Sequence, residues 1–272
     1  MRVGFIGLGS QGGPMARQIV DGGYHTTLWA RRPASLEPFA DTAAKVAGSP
    51  AELGAASDLV CICVVGDADV EEVLGGDTGV LAGMTAGGII AIHSTVHPDT
   101  CRNLAETAAA QGISLIDAPV SGGGPAAAER RLLVMAGGDP DVLERCRPVF
   151  ETHANAIVHL GGVGAGQITK LLNNLLFTAN LATAKTALAL GEALGVSTES
   201  LTDVMSHGSG NSFALNSIGR FGGSLDLLAS VAAELLRKDV RLVADIAGKT
   251  HASPGAVLDA ADAALELMDH PR

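Results

Sequence analysis

The sequence predicts an α/β amino-terminal domain followed by an all-α carboxy-terminal domain. Three observations carry this reading. The chain opens on a strand, a glycine-rich turn and a helix, Arg2 to Asp21, and a second strand follows from His25 to Trp29. Short apolar runs then alternate with helical patterns as far as Leu160, the order expected of a parallel sheet. After Gly166 no strand pattern recurs, and apolar residues return at helical spacing.

The opening elements are the most informative. Arg2 to Ile6 is a short apolar strand, and Pro14 to Asp21 reads as a helix ended by Gly22-Gly23. Between them lies Gly7-Leu8-Gly9-Ser10-Gln11-Gly12. A G-x-G-x-x-G is weak evidence alone, but between strand and helix it is the dinucleotide-binding fingerprint. Gly7 makes the tight turn, Gly9 lets a pyrophosphate approach the backbone, and Gly12 lets helix and strand pack closely. The helix amino terminus then faces the phosphates. This predicts a Rossmann dinucleotide-binding domain. An NAD-binding unit places an acid at the end of its second strand, on the ribose 2′-hydroxyl. Here that stretch is Ala30-Arg31-Arg32-Pro33. Guanidinium groups match phosphate geometry, so NADP is the expected cofactor, with NAD as the alternative. Two simply solvated arginines would read the same way.

The alternation continues. Leu59 to Val65 is a near-continuous apolar run, as in a central parallel strand. Ile89 to His93 is another, and Pro98 suits the first turn of a helix reaching about Gln111. Ser114 to Asp117 is a strand that leads into Ala118-Pro119-Val120-Ser121-Gly122-Gly123-Gly124-Pro125. Leu132 to Ala136 and Ala156 to Leu160 are two further strands, separated by a helix over Asp141 to Phe150. Helical patterns then cover Gln167 to Leu194, Ser200 to Met205, about Ala229 to Ala247, and Pro254 to Met268. The boundary falls near Gly161 to Val163, giving domains 1–162 and 163–272. The helix starting at Gln167 is rich in Ala and Leu on more than one face. A homodimer or homotetramer built on the helical domain is therefore expected.

Composition narrows the class. The 272 residues are 47% hydrophobic, so a sizeable core is available, while only 3% are aromatic, so that core is aliphatic. A net charge of −11 without a basic tail argues against nucleic acid. The first residues, MRVGFIGLG, lack the order of a signal peptide. Even the most apolar stretch, Leu171 to Leu194, is broken by Asn173, Asn174, Asn180 and Lys185, so no membrane span is expected. The expected location is cytoplasmic. Cys61 and Cys63 alternate in an apolar run, while Cys101 and Cys146 lie far off on predicted helices. Buried reduced thiols are expected, and no metal site.

Gly161 to Asn174, GGVGAGQITKLLNN, joins the two domains. Lys170 and Asn174 are four apart, so on a helix they share a face. A cation and an amide beside bare glycine backbone suit a polar ligand; on spacing alone, a solvated surface lysine is the favoured reading, because such lysines are common. Ser121-Gly122-Gly123-Gly124 exposes successive backbone N–H groups and a hydroxyl, a nest for a carboxylate or a phosphate. Its alternative is a flexible connection. Ser94-Thr95 reads as no more than a cap before Pro98.

Taken together, these stretches resemble the β-hydroxyacid dehydrogenase family, over nearly the whole chain. The supports are GFIGLGSQGGPMA, the His93-Ser94-Thr95 triplet, DAPVSGG from Asp117 to Gly123, GGVGAGQITKLLNN, and Lys238-Asp239. Their shared order is far more specific than any one of them. The resemblance implies hydride exchange between NADP(H) and a small carboxylate-bearing substrate, a β-hydroxyacid or its semialdehyde or oxo acid. It implies that Lys170 is the catalytic lysine and that Asn174 helps to hold the substrate. Ser121, Gly122 and Gly123 match the loop for the substrate's carboxylate. Val64 and Val65 match the adenosine side of the cofactor, and Thr95 the nicotinamide side. Lys238 matches a cofactor-contacting lysine, Asp239 a supporting carboxylate, and Arg31 the arginine on the 2′-phosphate. Gln11, Ala30, Ala126, Arg130, Arg131 and Val231 depart from the family's usual residues, which leaves the substrate undecided. An imine reductase of the same plan, or a non-catalytic NADP-binding scaffold, is the alternative. The presence of Lys170, Asn174 and the carboxylate loop argues against both.

Overall fold

The computed structural model describes residues 1–272. By its internal contacts the chain divides into two units, Met1–Lys170 and Leu171–Arg272.

The first unit is built on a six-stranded, wholly parallel sheet. Its strands are β1 (Arg2–Ile6), β2 (His25–Trp29), β3 (Lys45–Val46), β4 (Leu59–Ile62), β5 (Ile89–Ile92) and β6 (Ser114–Asp117). They lie in the order β3-β2-β1-β4-β5-β6. The order reverses between β1 and β4, the switch point at which open α/β sheets bind ligands. The apolar runs follow from burial on both faces. Leu59 and Cys61 of β4 join one core with Val3, Phe5, Ile89 and Ala91, while Val60 and Ile62 join the other with Ile6, Ile90 and Ile92. A strand with period-two side chains covered on both sides must be apolar throughout. The helices of this unit are α1 (Gly12–Asp21), α2 (Pro50–Ala55), α3 (Asp67–Leu74), α4 (Val80–Gly83), α5 (Pro98–Ala109), α6 (Gly123–Ala128) and α7 (Pro140–Phe150).

Three strands stand apart from the main sheet. β7 (Val120–Ser121), β8 (Leu132–Ala136) and β9 (Ala154–His159) form a small sheet, antiparallel between β7 and β8 and parallel between β8 and β9. The sequence marks β8 and β9 but not β7, which is only two residues long.

The apolar run predicted from Leu59 to Val65 ends as a strand at Ile62. Its last residues turn outward at the sheet's carboxyl edge, where Val65 is 67% exposed. Cys61 is buried within β4, and Cys63 lies just beyond it, half-buried. Burial raises the Cys63 and Cys146 thiols to about 12 and pushes Cys61 and Cys101 up as well.

α8 (Ala165–Ala193) begins in the first unit and runs through the start of the second. The rest of the second unit is α9 (Thr198–His207), α10 (Phe213–Gly219), α11 (Asp226–Thr250) and α12 (Gly255–Leu267). Its core joins Leu171, Leu175, Leu181 and Leu188 of α8 to Leu236, Val240 and Leu265. α10, seven residues long, is not marked by the sequence reading. Its one local signal is Ser212, whose Oγ accepts from Leu215 N at 3.0 Å as an N-cap. No helix is long and apolar enough to cross a membrane.

Candidate active site

The turn after β1 has the geometry a pyrophosphate requires. Gly7 has φ +96°, and a Cβ there would collide with the Cys63 carbonyl. A Cβ on Gly12 would collide with the Gly7 carbonyl and press on Phe5, so α1 sits close against β1 and β4. Gly9 is different: a Cβ there would meet nothing within 4 Å. The space above Gly9 faces solvent, as it must if a ligand is to lie on the backbone. Leu8 is half-buried, and Ser10 is exposed beside Gly9. Gln11 precedes α1 without capping it by its side chain. At the amino end of this ten-residue helix Gly13 N already donates to Gly9 O at 2.8 Å and Pro14 has no N–H, which leaves the N–H groups up to Gly12 for an anion. The donors present fit the phosphates of a dinucleotide.

The remaining cofactor candidates follow the carboxyl ends of the parallel strands. Ala30, Arg31 and Arg32 follow β2, Val64 and Val65 follow β4, and Thr95 follows β5. Val64 N donates to Ser94 Oγ at 2.8 Å, which ties the β4 and β5 ends together. Arg31 is not simply solvated. Its Nη2 donates to Asp69 Oδ1 at 3.1 Å and to Glu72 Oε2 at 2.7 Å, both on α3. Arg32 is exposed.

Ser121 ends β7, and Gly122 and Gly123 carry the chain into α6. Ser121 is half-buried and the two glycines are exposed, with φ of +128° and +74°. Gly124 packs so closely on the Ser10 carbonyl that a Cβ would overlap it. This loop therefore abuts the glycine-rich turn after β1.

The start of α8 is held by a buried polar knot. Asp117, at the end of β6, is fully buried and accepts from Gly164 N and from Gln167 N, each at 2.7 Å. It serves as a tertiary cap for orphan N–H groups at a long helix's positive end. Burial raises its pKa above the usual carboxylate range, and the bonds from Gly164 and Gln167 oppose that shift. The approach is so close that a Cβ on Gly166 would strike both Asp117 and the Met135 carbonyl. Gln167 is buried as well. Its Oε1 accepts from Val96 N at 3.1 Å, and its Nε2 donates to Ser94 O at 2.8 Å. The loop after β5 is thereby fixed to the helix that presents Lys170 three residues later. Lys170 is half-buried.

In the second unit, Asn174 on α8 meets α11. Its Nδ2 donates to Asp239 Oδ2 at 2.5 Å. Asp239 is 3% exposed, and Lys238 Nζ lies 3.2 Å from its other oxygen. The structure thus brings Asn174, Lys238 and Asp239 together, although Asn174 and Asp239 lie 65 residues apart in the chain. The sequence did not show Gln167 or Asp117 as positioning residues. Asp117 directly before Ala118-Pro119 and a glutamine in a helix's first turn were the visible signals, but their partners are distant in sequence.

Two family models match the chain. The NAD-binding domain of 6-phosphogluconate dehydrogenase matches residues 2–161, and the NAD-binding region of NADP-dependent 3-hydroxyisobutyrate dehydrogenase matches residues 164–270. The chain belongs to the 3-hydroxyisobutyrate dehydrogenase-like family of hydroxyacid dehydrogenases. Within this family it is 34% identical to the 2-(hydroxymethyl)glutarate dehydrogenase of Eubacterium barkeri, over 92% of this chain and 83% of that protein. It is 32% identical to an NAD-dependent L-serine dehydrogenase of Pseudomonas aeruginosa, over 90% of this chain and 85% of that one. A solved 3-hydroxyisobutyrate dehydrogenase of Mycobacterium tuberculosis with L-serine superposes with a TM-score of 0.87 at 31% identity, covering 100% of this chain and 96% of that one. A hydroxyacid dehydrogenase of this family is an oxidoreductase with an NAD(P)-binding domain.

Proposed function

We propose that this chain is an NADP(H)-dependent oxidoreductase interconverting a small β-hydroxyacid and its semialdehyde or oxo acid, with Lys170 as general acid and base. One observation carries the reading. The helix that bears Lys170 bears Asn174 one turn later, and Asn174 is gripped by buried Asp239 beside Lys238. An amide fixed by a buried carboxylate has one orientation and offers its remaining hydrogen-bonding capacity to a substrate.

The substrate class follows from chemistry that three of the relatives' names share. L-serine, 3-hydroxyisobutyrate and 2-(hydroxymethyl)glutarate each carry a primary hydroxyl β to a carboxylate. The Ser121 hydroxyl and the N–H groups of Gly122 and Gly123 suit such a carboxylate. A bound nicotinamide supplies or accepts the hydride. Lys170 hydrogen-bonds the substrate oxygen, stabilises the developing alkoxide and gives up its proton in reduction; in oxidation it takes the proton back. Asn174 holds the substrate against it. The glycine-rich turn, Val64, Val65, Thr95 and Lys238 hold the cofactor, and Arg31 and Arg32 favour the 2′-phosphate.

The test is steady-state kinetics on a panel of semialdehydes and β-hydroxyacids, together with direct NADPH titration. Lys170→Ala is expected to reduce kcat by roughly a hundredfold or more, the scale of a positioned acid, with NADPH affinity near normal. Lys170→Arg keeps the charge but not the proton transfer, so it is not expected to restore turnover. A Lys170→Ala enzyme with near-normal kcat would remove this residue from the mechanism.

A further inference from the structure

Arg31 is the residue on which NADP preference rests, and the structure gives it two acidic partners. Asp69 and Glu72 are three residues apart on α3, so they share a face of the helix. Both accept from the same nitrogen of Arg31, Nη2, at 3.1 and 2.7 Å. α3 carries two other acids, Asp67 and Glu71; Asp67 is committed elsewhere, since its Oδ1 accepts from His97 N and Thr100 Oγ. A guanidinium offers its donors in a rigid fork. Bound as it is by one corner, Arg31 has a position set by α3, and its partners place two negative charges where a phosphate dianion would have to approach.

We propose that Asp69 and Glu72 set the degree of cofactor discrimination, by holding Arg31 against α3 in competition with the 2′-phosphate of NADP(H). The inference rests on the reading that Arg31 faces that phosphate. The physical balance is uneven. The two ion pairs are largely exposed, with side chains 56, 29 and 65% accessible for Arg31, Asp69 and Glu72, so each is weak and easily exchanged. A 2′-phosphate can therefore capture Arg31, but it must displace both carboxylates and then sit beside them. A ribose with a free 2′-hydroxyl meets neither cost. The acid pair thus lowers affinity for NADPH and leaves NADH binding alone, so the enzyme is less selective than its two arginines imply. Screening acts on these exposed charges, so the penalty falls as salt rises.

The experiment is a fluorescence titration of the purified protein with NADPH and with NADH, at low and at high salt. Four proteins are compared: the natural sequence, Arg31→Ala, the double variant Asp69→Asn/Glu72→Gln, and the triple variant combining all three. The substitutions lie on the surface, and circular dichroism and a melting curve establish folding. The double variant is expected to bind NADPH roughly three- to tenfold more tightly at low salt, with NADH affinity unchanged and the gain shrinking at high salt. Most of the gain is expected to vanish in the triple variant. Three outcomes overturn the proposal. Unchanged or weaker NADPH binding by the double variant, with Arg31→Ala still weakening NADPH, leaves the cofactor reading standing and removes the competition. A gain that persists undiminished without Arg31 assigns the effect to bare repulsion. Arg31→Ala binding NADPH as the natural sequence does refutes the cofactor reading itself, and the proposal with it.

Discussion

At the scale of single residues, Gly9 separates binding from folding. Gly7 and Gly12 are required by the fold, because a Cβ on either meets backbone. Gly9 is not, since a Cβ there meets nothing within 4 Å. Gly9→Ala is therefore expected to leave the melting temperature unchanged or slightly raised, since alanine restricts the unfolded chain. Its methyl would occupy the space a pyrophosphate needs, so NADPH affinity is expected to fall at least about tenfold, a loss of roughly 1.4 kcal/mol. Calorimetric titration beside a melting curve measures both, and a variant that binds normally would place the phosphates elsewhere. A second residue-scale expectation concerns acid. His93 and His153 are buried, their rings 5.9 Å apart edge to face, with Nε2 of each unpartnered. Burial lowers their pKa values to about 4 and about 3 from 6.5. In the unfolded chain they gain protons below about pH 6.5, and in the fold they resist doing so. Their contribution is thus complete above that pH and is lost as pH falls toward the folded values, by about 1.4 kcal/mol per unit for each ring. Urea denaturation at pH 7.5 and 5.5 is expected to show lower stability in acid, and His153→Phe a shallower decline. An identical decline in that variant would assign the sensitivity to other groups.

At the scale of elements, the start of α8 matters most. Gln167 satisfies Val96 N and Ser94 O, both distant in the chain, while Asp117 satisfies the helix's own N–H groups. Gln167→Leu keeps the volume and orphans two buried backbone groups. The expected cost is about 1–3 kcal/mol for each, read by chemical denaturation. Because Gln167 ties the β5 loop to the helix carrying Lys170, kcat is expected to fall more than NADPH affinity. Gln167→Glu retains one acceptor, so it is expected to recover part of the stability; equal stability of all three proteins would remove the knot from the account. The legibility of this region explains that of the whole chain. The strand, turn and helix at Gly7 to Gly12 could be read because their residue order is a local pattern, even though the carbonyl that excludes a side chain at Gly7 belongs to distant Cys63. Lys170 and Asn174 could be placed on one helical face because four residues make one turn. The grip of Asp239 on Asn174, the bracket of Asp117 and Gln167, and the pairing of Arg31 with α3 could not be read. Each joins residues whose meeting is decided by how the chain packs, and no local pattern encodes it. The two-residue β7 was missed for a simpler reason, being too short to repeat a period.

At the scale of the molecule, the second unit exposes large apolar side chains on several of its helices. On α8, Leu172, Leu176 and Leu190 are 53, 54 and 60% exposed, and Leu194, in the turn just after it, is 74% exposed. Leu172 and Leu176 are one turn apart on the helix, so they form a continuous stripe. Phe213 at 75%, Val204 at 66% and Val231 at 68% are exposed on α10, α9 and α11. The opposite side of α8 is already used, with Leu171, Leu175, Leu181 and Leu188 in the core. A helix apolar on both sides is buried on both sides in a stable protein, and contiguous exposed patches of this kind mark association surfaces. We therefore expect a homodimer or homotetramer joined through the helical unit. Multi-angle light scattering at micromolar concentration is expected to give two or four times the mass of one chain. Leu172→Glu/Leu176→Glu places two charges on one stripe without touching the core, so it is expected to lower the assembly state while the circular dichroism spectrum stays helical. A natural protein that scatters as one chain at that concentration, with its helices intact, would show that water covers these leucines and that the apolar girth of α8 has another cause.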